Sequence, residues 1–146
     1  VEAVRASLAN FYRVHERVAP RVDLPREAYR RPRNRYAAEA LLNWLTQRSR
    51  VRTIGVTERD IAKGEYLGRK DWGVMGLAHR PGTAAMVSSF RARGRIGLVA
   101  VHEIGHTFGL DHCPDPRCLM RHGENRGALF DAGLRFCESC RRRVPG

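Results

Sequence analysis

His102-Glu103-Ile104-Gly105-His106 sets two imidazoles four residues apart around a glutamate. On a helix, residues four apart project from one face, so both rings can reach the same metal ion. Helix geometry turns Glu103 about 100° from His102. Its carboxylate then sits beside the metal, where it meets a metal-bound water rather than the metal itself. The pattern runs on through Gly109 to His112, completing HExxHxxGxxH. A helix that must end three residues past His106 and turn sharply needs a residue tolerant of positive φ, which glycine supplies. That turn swings His112 back to the metal. Three neutral imidazoles leave the fourth tetrahedral position of a zinc ion open, as in catalytic sites. They cancel none of its charge, so a bound water is strongly acidified.

The cysteines form a second group. There are four, Cys113, Cys118, Cys137 and Cys140, all in the last quarter of the chain. No secretory leader is evident, so a CxxC pair joined by a second close pair reads as metal binding rather than as disulfides. Two such pairs can close a tetrahedral thiolate site. Metal bound there would fix a tail with little core of its own, so its binding energy becomes folding energy. The plainer alternative is four unligated thiols. Met120, taken alone, reads as a core methionine.

HExxHxxGxxH followed by a methionine resembles the metzincin pattern. A cysteine directly after the third histidine brings the likeness closer to the archaemetzincins. The stretch reads His112-Cys113-Pro114-Asp115-Pro116-Arg117-Cys118-Leu119-Met120, and Phe136-Cys137-Glu138-Ser139-Cys140 follows. The resemblance implies two zinc ions. One is catalytic, on His102, His106 and His112, with Glu103 as general base, Gly109 ending the helix and a turn at Met120 beneath the metal. The other is structural, on Cys113, Cys118, Cys137 and Cys140. The strong motifs cover residues 102–140, with a structural zinc subsite at 113–140. Upstream, the likeness rests on element order and on runs such as Thr53-Ile54-Gly55-Val56-Thr57. The family opens with a strand before its first helix, and none is evident here. The segment between Met120 and Cys137 is rich in Gly and Arg and matches the family less closely. A strongly basic charge is not part of the family's pattern.

Other elements must position these residues. Val4, Leu8, Phe11 and Tyr12 repeat at helical spacing, predicting an amphipathic helix over 2–17. Residues 18–24 are an extended piece between prolines, and 26–34 a basic loop. Tyr36, Ala40, Leu41, Trp44 and Leu45 predict a helix over 35–47. Val51 to Thr57 reads as a strand, and Gly64 and Gly68 as marks of a loop. Strands at 74–79 and 84–89 flank Arg80-Pro81-Gly82-Thr83, which predicts a hairpin. A helix over 97–108 carries Leu98, Val101, Gly105 and Phe108 as a stripe for the sheet, with the histidines on a neighbouring stripe. Little regular structure is expected from Gly109 to Phe136. The fold expected is a zincin-like α/β sandwich: a mixed, twisted sheet packed on helices, with the HExxH helix at the site and a metal-tied tail.

The chain has 146 residues, 42% hydrophobic and 29% charged, which suits one catalytic domain spanning 1–146 without its first strand. It carries no apolar run long enough for a membrane span. Without a leader and with reduced cysteines, a cytoplasmic location is expected. The net charge of +12 favours acidic partners. The arginines cluster at 26–35, 91–95 and 141–143 without the order of a base-reading element, and read as a solvated basic surface rather than a specific nucleic-acid site. The expected function is therefore a zinc-dependent metallopeptidase that hydrolyses peptide bonds through a zinc-bound water activated by Glu103. A non-catalytic zinc module docking nucleic acid or protein is one alternative, but leaves Glu103 unexplained. A zinc hydrolase of a non-peptide bond is the other.

Overall fold

The computed structural model describes residues 1–66, 68–122 and 133–146. The helices are α1 (Glu2–Phe11), α2 (Ala38–Arg48), α3 (Ser89–Ala92), α4 (Ile96–Thr107) and α5 (Glu138–Arg141). The strands are β1 (Tyr29–Arg30), β2 (Arg35–Ala37), β3 (Thr53–Thr57), β4 (Ile61–Tyr66), β5 (Arg69–Val74), β6 (Gly76–Ala78) and β7 (Ala84–Ser88). They form two sheets, ordered β3-β7-β6 and β1-β2-β4-β5.

β7 is the centre of the three-stranded sheet, parallel to β3 and antiparallel to β6. All five of its residues are buried, and side chains alternate between its faces. Ala85 and Val87 join the core built on α4. Ala84 and Met86 join the core built on α2, with Leu41, Leu42 and Leu45. Two cores share one strand, and the sheet lies between the two helices. The pairing of Leu77 with Met86 and of Ala78 with Ala85 makes the expected hairpin around residues 80–83. It leaves β6 at the edge of the sheet.

Several expectations need correction. α1 stops at Phe11, and no helix continues to residue 17. α2 begins at Ala38, because Arg35–Ala37 is a strand pairing with β1 and β4. The supposed loop around Gly64 and Gly68 is the antiparallel hairpin β4–β5. Gly64 lies within a strand, its N–H donating to Glu39 Oε1 at 3.0 Å, whereas Gly68 takes φ +72° in the turn. Val74 ends β5, so the strand expected over 74–79 is split between two sheets. Of the Gly- and Arg-rich segment after Met120, residues 123–132 lie outside the described residues.

The helix carrying HExxH also differs from a one-sided amphipathic helix. All but one of its residues are buried. Its far side is covered by α1, through Val4, Leu8 and then Tyr12, whose hydroxyl donates to Val101 O at 2.6 Å. Such a helix must be apolar nearly all round, and the run Ile96-Gly97-Leu98-Val99-Ala100-Val101 is. Gly97 allows the close approach, since a Cβ there would press on Ser7 and lie 2.8 Å from Ala3 O. Among the described residues no helix is long and apolar enough to cross a membrane.

The basic clusters are not wholly solvated. Asp60 is 7% exposed and lies 2.7 Å from Arg35 Nε. Arg91 holds the same carboxylate from the other side, at 2.7 and 3.0 Å. A buried carboxylate needs such partners, so one arginine from each of the first two clusters turns inward. Their pairing ties β2 to the segment that leads into α4.

Gly97→Ala is expected to cost about 1–3 kcal/mol through overpacking against α1. In a chain of this size that lowers Tm by about 2–4 °C per kcal/mol. Gly94→Ala, with nothing within 4 Å of the new methyl, should leave thermal unfolding within about 0.5 kcal/mol of the parent. Equal losses in the two variants would refute the packing argument.

Candidate metal centres

α4 ends as the sequence requires. Gly109 takes φ +88°. Its N–H bonds to His106 O at 2.9 Å, and that of Leu110 reaches back to Gly105 O at 3.2 Å. These are the two bonds of a Schellman turn. Arg52 caps the same end, donating to Thr107 Oγ1 at 2.7 Å and lying 3.8 Å over the Phe108 ring.

The turn brings the three histidines together. One ring nitrogen from each of His102, His106 and His112 lies within 4.8 Å of the others. His102 and His106 are 6% and 7% exposed. Each Nδ1 meets a backbone carbonyl, Leu119 O at 2.8 Å and Leu110 O at 2.7 Å. A carbonyl only accepts, so both Nδ1 atoms carry the proton and both Nε2 atoms present lone pairs. Those two Nε2 atoms face each other at 3.0 Å. Two lone pairs so placed repel unless a cation lies where they converge, and the donor set suits zinc. Burial keeps the rings neutral, the ligating form. It lowers His102 to about 3, chiefly by desolvation and then by His106. His112, exposed but partly desolvated where it meets the other rings, is lowered to about 4, with His106 the next cause.

Glu103, one residue along α4, is 8% exposed. Burial pushes its carboxyl up to about 8. It lies against the edge strand, since a Cβ on Gly76 would come 2.7 Å from its Cγ and 2.9 Å from Oε1. Only glycine at that position leaves room for the carboxylate. The pattern around residues 74–79 suggested a strand without showing this; glycine inside a strand is the signal that a close approach is needed.

Met120 is fully buried beneath α4, and a Cβ on Gly105 would meet its Sδ at 2.6 Å. The expected turn thus sets the neighbouring Leu119 carbonyl against His102. His122, not anticipated from spacing, packs edge-on against His112 with ring centroids 4.5 Å apart.

The cysteines converge separately. The Sγ atoms of Cys113, Cys118, Cys137 and Cys140 lie within 4.8 Å of one another and none is in a disulfide. The backbone N–H groups of Met120 and Cys137 both point to Cys118 Sγ at 3.4 Å. Burial raises the Cys118 and Cys140 thiols, while the Cys140 amide lowers Cys137. Four sulfurs so close suit a tetrahedral thiolate site.

The model of peptidase family M54 matches residues 13–145. The chain belongs to peptidase family M54. Archaemetzincin from Methanopyrus kandleri is 34% identical over 131 residues, covering 82% of this chain and 71% of that one. The crystal structure of archaemetzincin from Archaeoglobus fulgidus, complexed with malonate, superposes with a TM-score of 0.81 at 28% identity, covering 98% of this chain and 90% of that one. A zinc-dependent peptidase from Methanocorpusculum labreanum gives a TM-score of 0.73 at 25% identity, over 97% and 89%. The M54 chain described here is therefore a zinc metallopeptidase of the archaemetzincin family, and its α/β architecture is the one the sequence motifs implied.

The raised Glu103 carboxyl gives stability a pH dependence in the metal-free protein. Its folded value, about 8, exceeds the ordinary 4.5. Between those values the folded form holds the extra proton, so this contribution is full below about pH 4.5 and is lost as pH rises through 8. Urea unfolding in chelator should show wild type losing stability relative to Glu103→Gln across that window. Parallel curves would mean that burial does not hold the carboxyl neutral.

Proposed function

We propose that this M54 chain cleaves peptide bonds with a catalytic zinc on His102, His106 and His112 and with Glu103 as the proton carrier. Support comes from the facing Nε2 lone pairs and from a buried carboxyl set beside them under the edge strand. When bound, the zinc supplies a Lewis acid that polarises the scissile carbonyl and acidifies the attacking water. Glu103 takes the water's proton and passes it to the leaving amine. β6 is the edge of its sheet, so its outer backbone groups can pair with an extended peptide. Gly76 at its start aligns that peptide with Glu103. A second, structural zinc on Cys113, Cys118, Cys137 and Cys140 would hold the 113–140 segment, and residues 1–146 would act as one catalytic unit. With Arg35 and Arg91 turned onto Asp60, fewer arginines remain for a nucleic-acid surface.

Glu103→Gln should retain zinc and lower kcat/KM by about 10²–10⁴-fold, the usual worth of a positioned proton carrier. Gly76→Ala should also keep zinc while losing at least about tenfold, because the new methyl displaces the carboxyl. Rates of purified variants on a peptide panel decide this, and undiminished turnover by Glu103→Gln would falsify the role.

Elemental analysis of protein purified without chelators should give about two zinc ions per chain, from one three-ligand and one four-ligand site. His112→Ala and Cys137→Ser should each lose about one, and only Cys137→Ser should lower Tm markedly. An unchanged metal count in either variant would remove that site from the proposal.

A further inference from the structure

The three histidines are not held alike. His102 and His106 sit on α4, buried, and each ring is locked by a carbonyl at Nδ1. His112 stands beyond the Schellman turn, outside any helix or strand, and is exposed. Among the described residues its ring makes no hydrogen bond to a carbonyl. An exposed side chain on irregular backbone keeps rotamer freedom that a ligand has to lose.

The backbone brings another ring to it. Cys113 pairs with Arg121 in an isolated parallel bridge, and the Cys113 N–H donates to Met120 O at 2.8 Å. Residues 120–122 therefore run alongside 112 and 113. On that segment His122 meets His112 edge to face, with centroids 4.5 Å apart and planes at 83°. Edge-to-face geometry is the favourable arrangement for two rings of this kind.

We infer that His122 is a positioning residue for the third zinc ligand, and that its ring, added to the contacts His112 makes with the His102 and His106 rings, holds His112 in the ligating orientation. The role rests on the proposed assignment of His112 to the zinc. It follows the general rule that partners behind metal ligands fix ring orientation, commonly worth about 10–100-fold in metal affinity. Here the partner is an aromatic contact instead of a hydrogen bond.

The test measures zinc affinity at the histidine site by competition with a chelator, in the full chain. His122→Ala should weaken binding by about 10–100-fold. His122→Gln, which keeps length and loses the ring, should weaken it similarly. His122→Phe, which keeps a ring, should stay within about threefold of the parent. Peptidase activity of His122→Ala should recover in excess zinc, because the residue acts through the ligand. Parent-like affinity in both His122→Ala and His122→Gln overturns the inference. So does a His122→Phe variant as weak as His122→Ala, or activity that stays low at saturating zinc, since His122 would then act through its nitrogens or on the substrate. His122 is exposed, so its substitution spares the core; should His122→Ala not fold, the Gln and Phe pair carries the comparison. His112→Ala separates the two levels. If it too keeps full affinity, the ligand assignment itself fails. If it loses zinc while His122→Ala does not, only the positioning role fails.

Discussion

Three histidine rings brought to one place must be held there by the fold itself, and most of this structure serves that constraint. A helix free to roll would carry His102 and His106 off the carbonyls of Leu119 and Leu110 and away from His112. α4 is therefore gripped on several sides. β7 supplies Ala85 and Val87 from the sheet. α1 closes on Gly97, and Met120 presses on Gly105 between His102 and His106. The carbonyls of Leu119 and Leu110 then set the remaining freedom, ring rotation. Burial of this kind keeps the rings neutral as well as fixed, so packing and ligand chemistry have a common cause.

The two candidate metal sites share a stretch of chain. His112 and Cys113 are adjacent, one turned to each cluster. Cys118 Sγ accepts from the Met120 N–H, while the carbonyl of Leu119 accepts from His102. The sulfur cluster thus anchors both ends of the loop that follows His112 and supports His102. The C-terminal tail completes the tie: Arg141 donates to Phe11 O at the end of α1, and Arg143 to Gly109 O in the Schellman turn. Tail, α1 and α4 form one connected packing unit around the site.

Charge has a similar division of labour. Most of the positive excess lies on the surface, where it governs solubility and long-range attraction. Asp60 is the exception, a buried carboxylate between Arg35 and Arg91. Removing one arginine would leave a poorly compensated charge in the interior. That pairing joins the four-stranded sheet to the entry of α4, so even the basic composition contributes to holding the active helix.

The sequence by itself determined which histidines and cysteines come together, their order and the turn between the histidines. Local geometry was enough: a spacing of four on a helix, a glycine at positive φ, two close cysteine pairs. Spacing also placed the HExxH helix, β3, β7 and the hairpin between β6 and β7, because their apolar periods are strong. It failed where long-range contacts overrule local signals. Gly64 reads as a loop residue, yet it lies in a strand whose flanking residues pair with β5, and its own N–H donates to Glu39. The even burial of α4 depends on α1 and on Tyr12 just after it, which bonds Val101 89 residues along the chain. The closeness of Gly76 to Glu103, the inward turn of Arg35 and Arg91, and the contact of His122 with His112 were decided by the tertiary structure alone. Each brings together groups from different elements, and no periodicity within one segment can encode a distance between two.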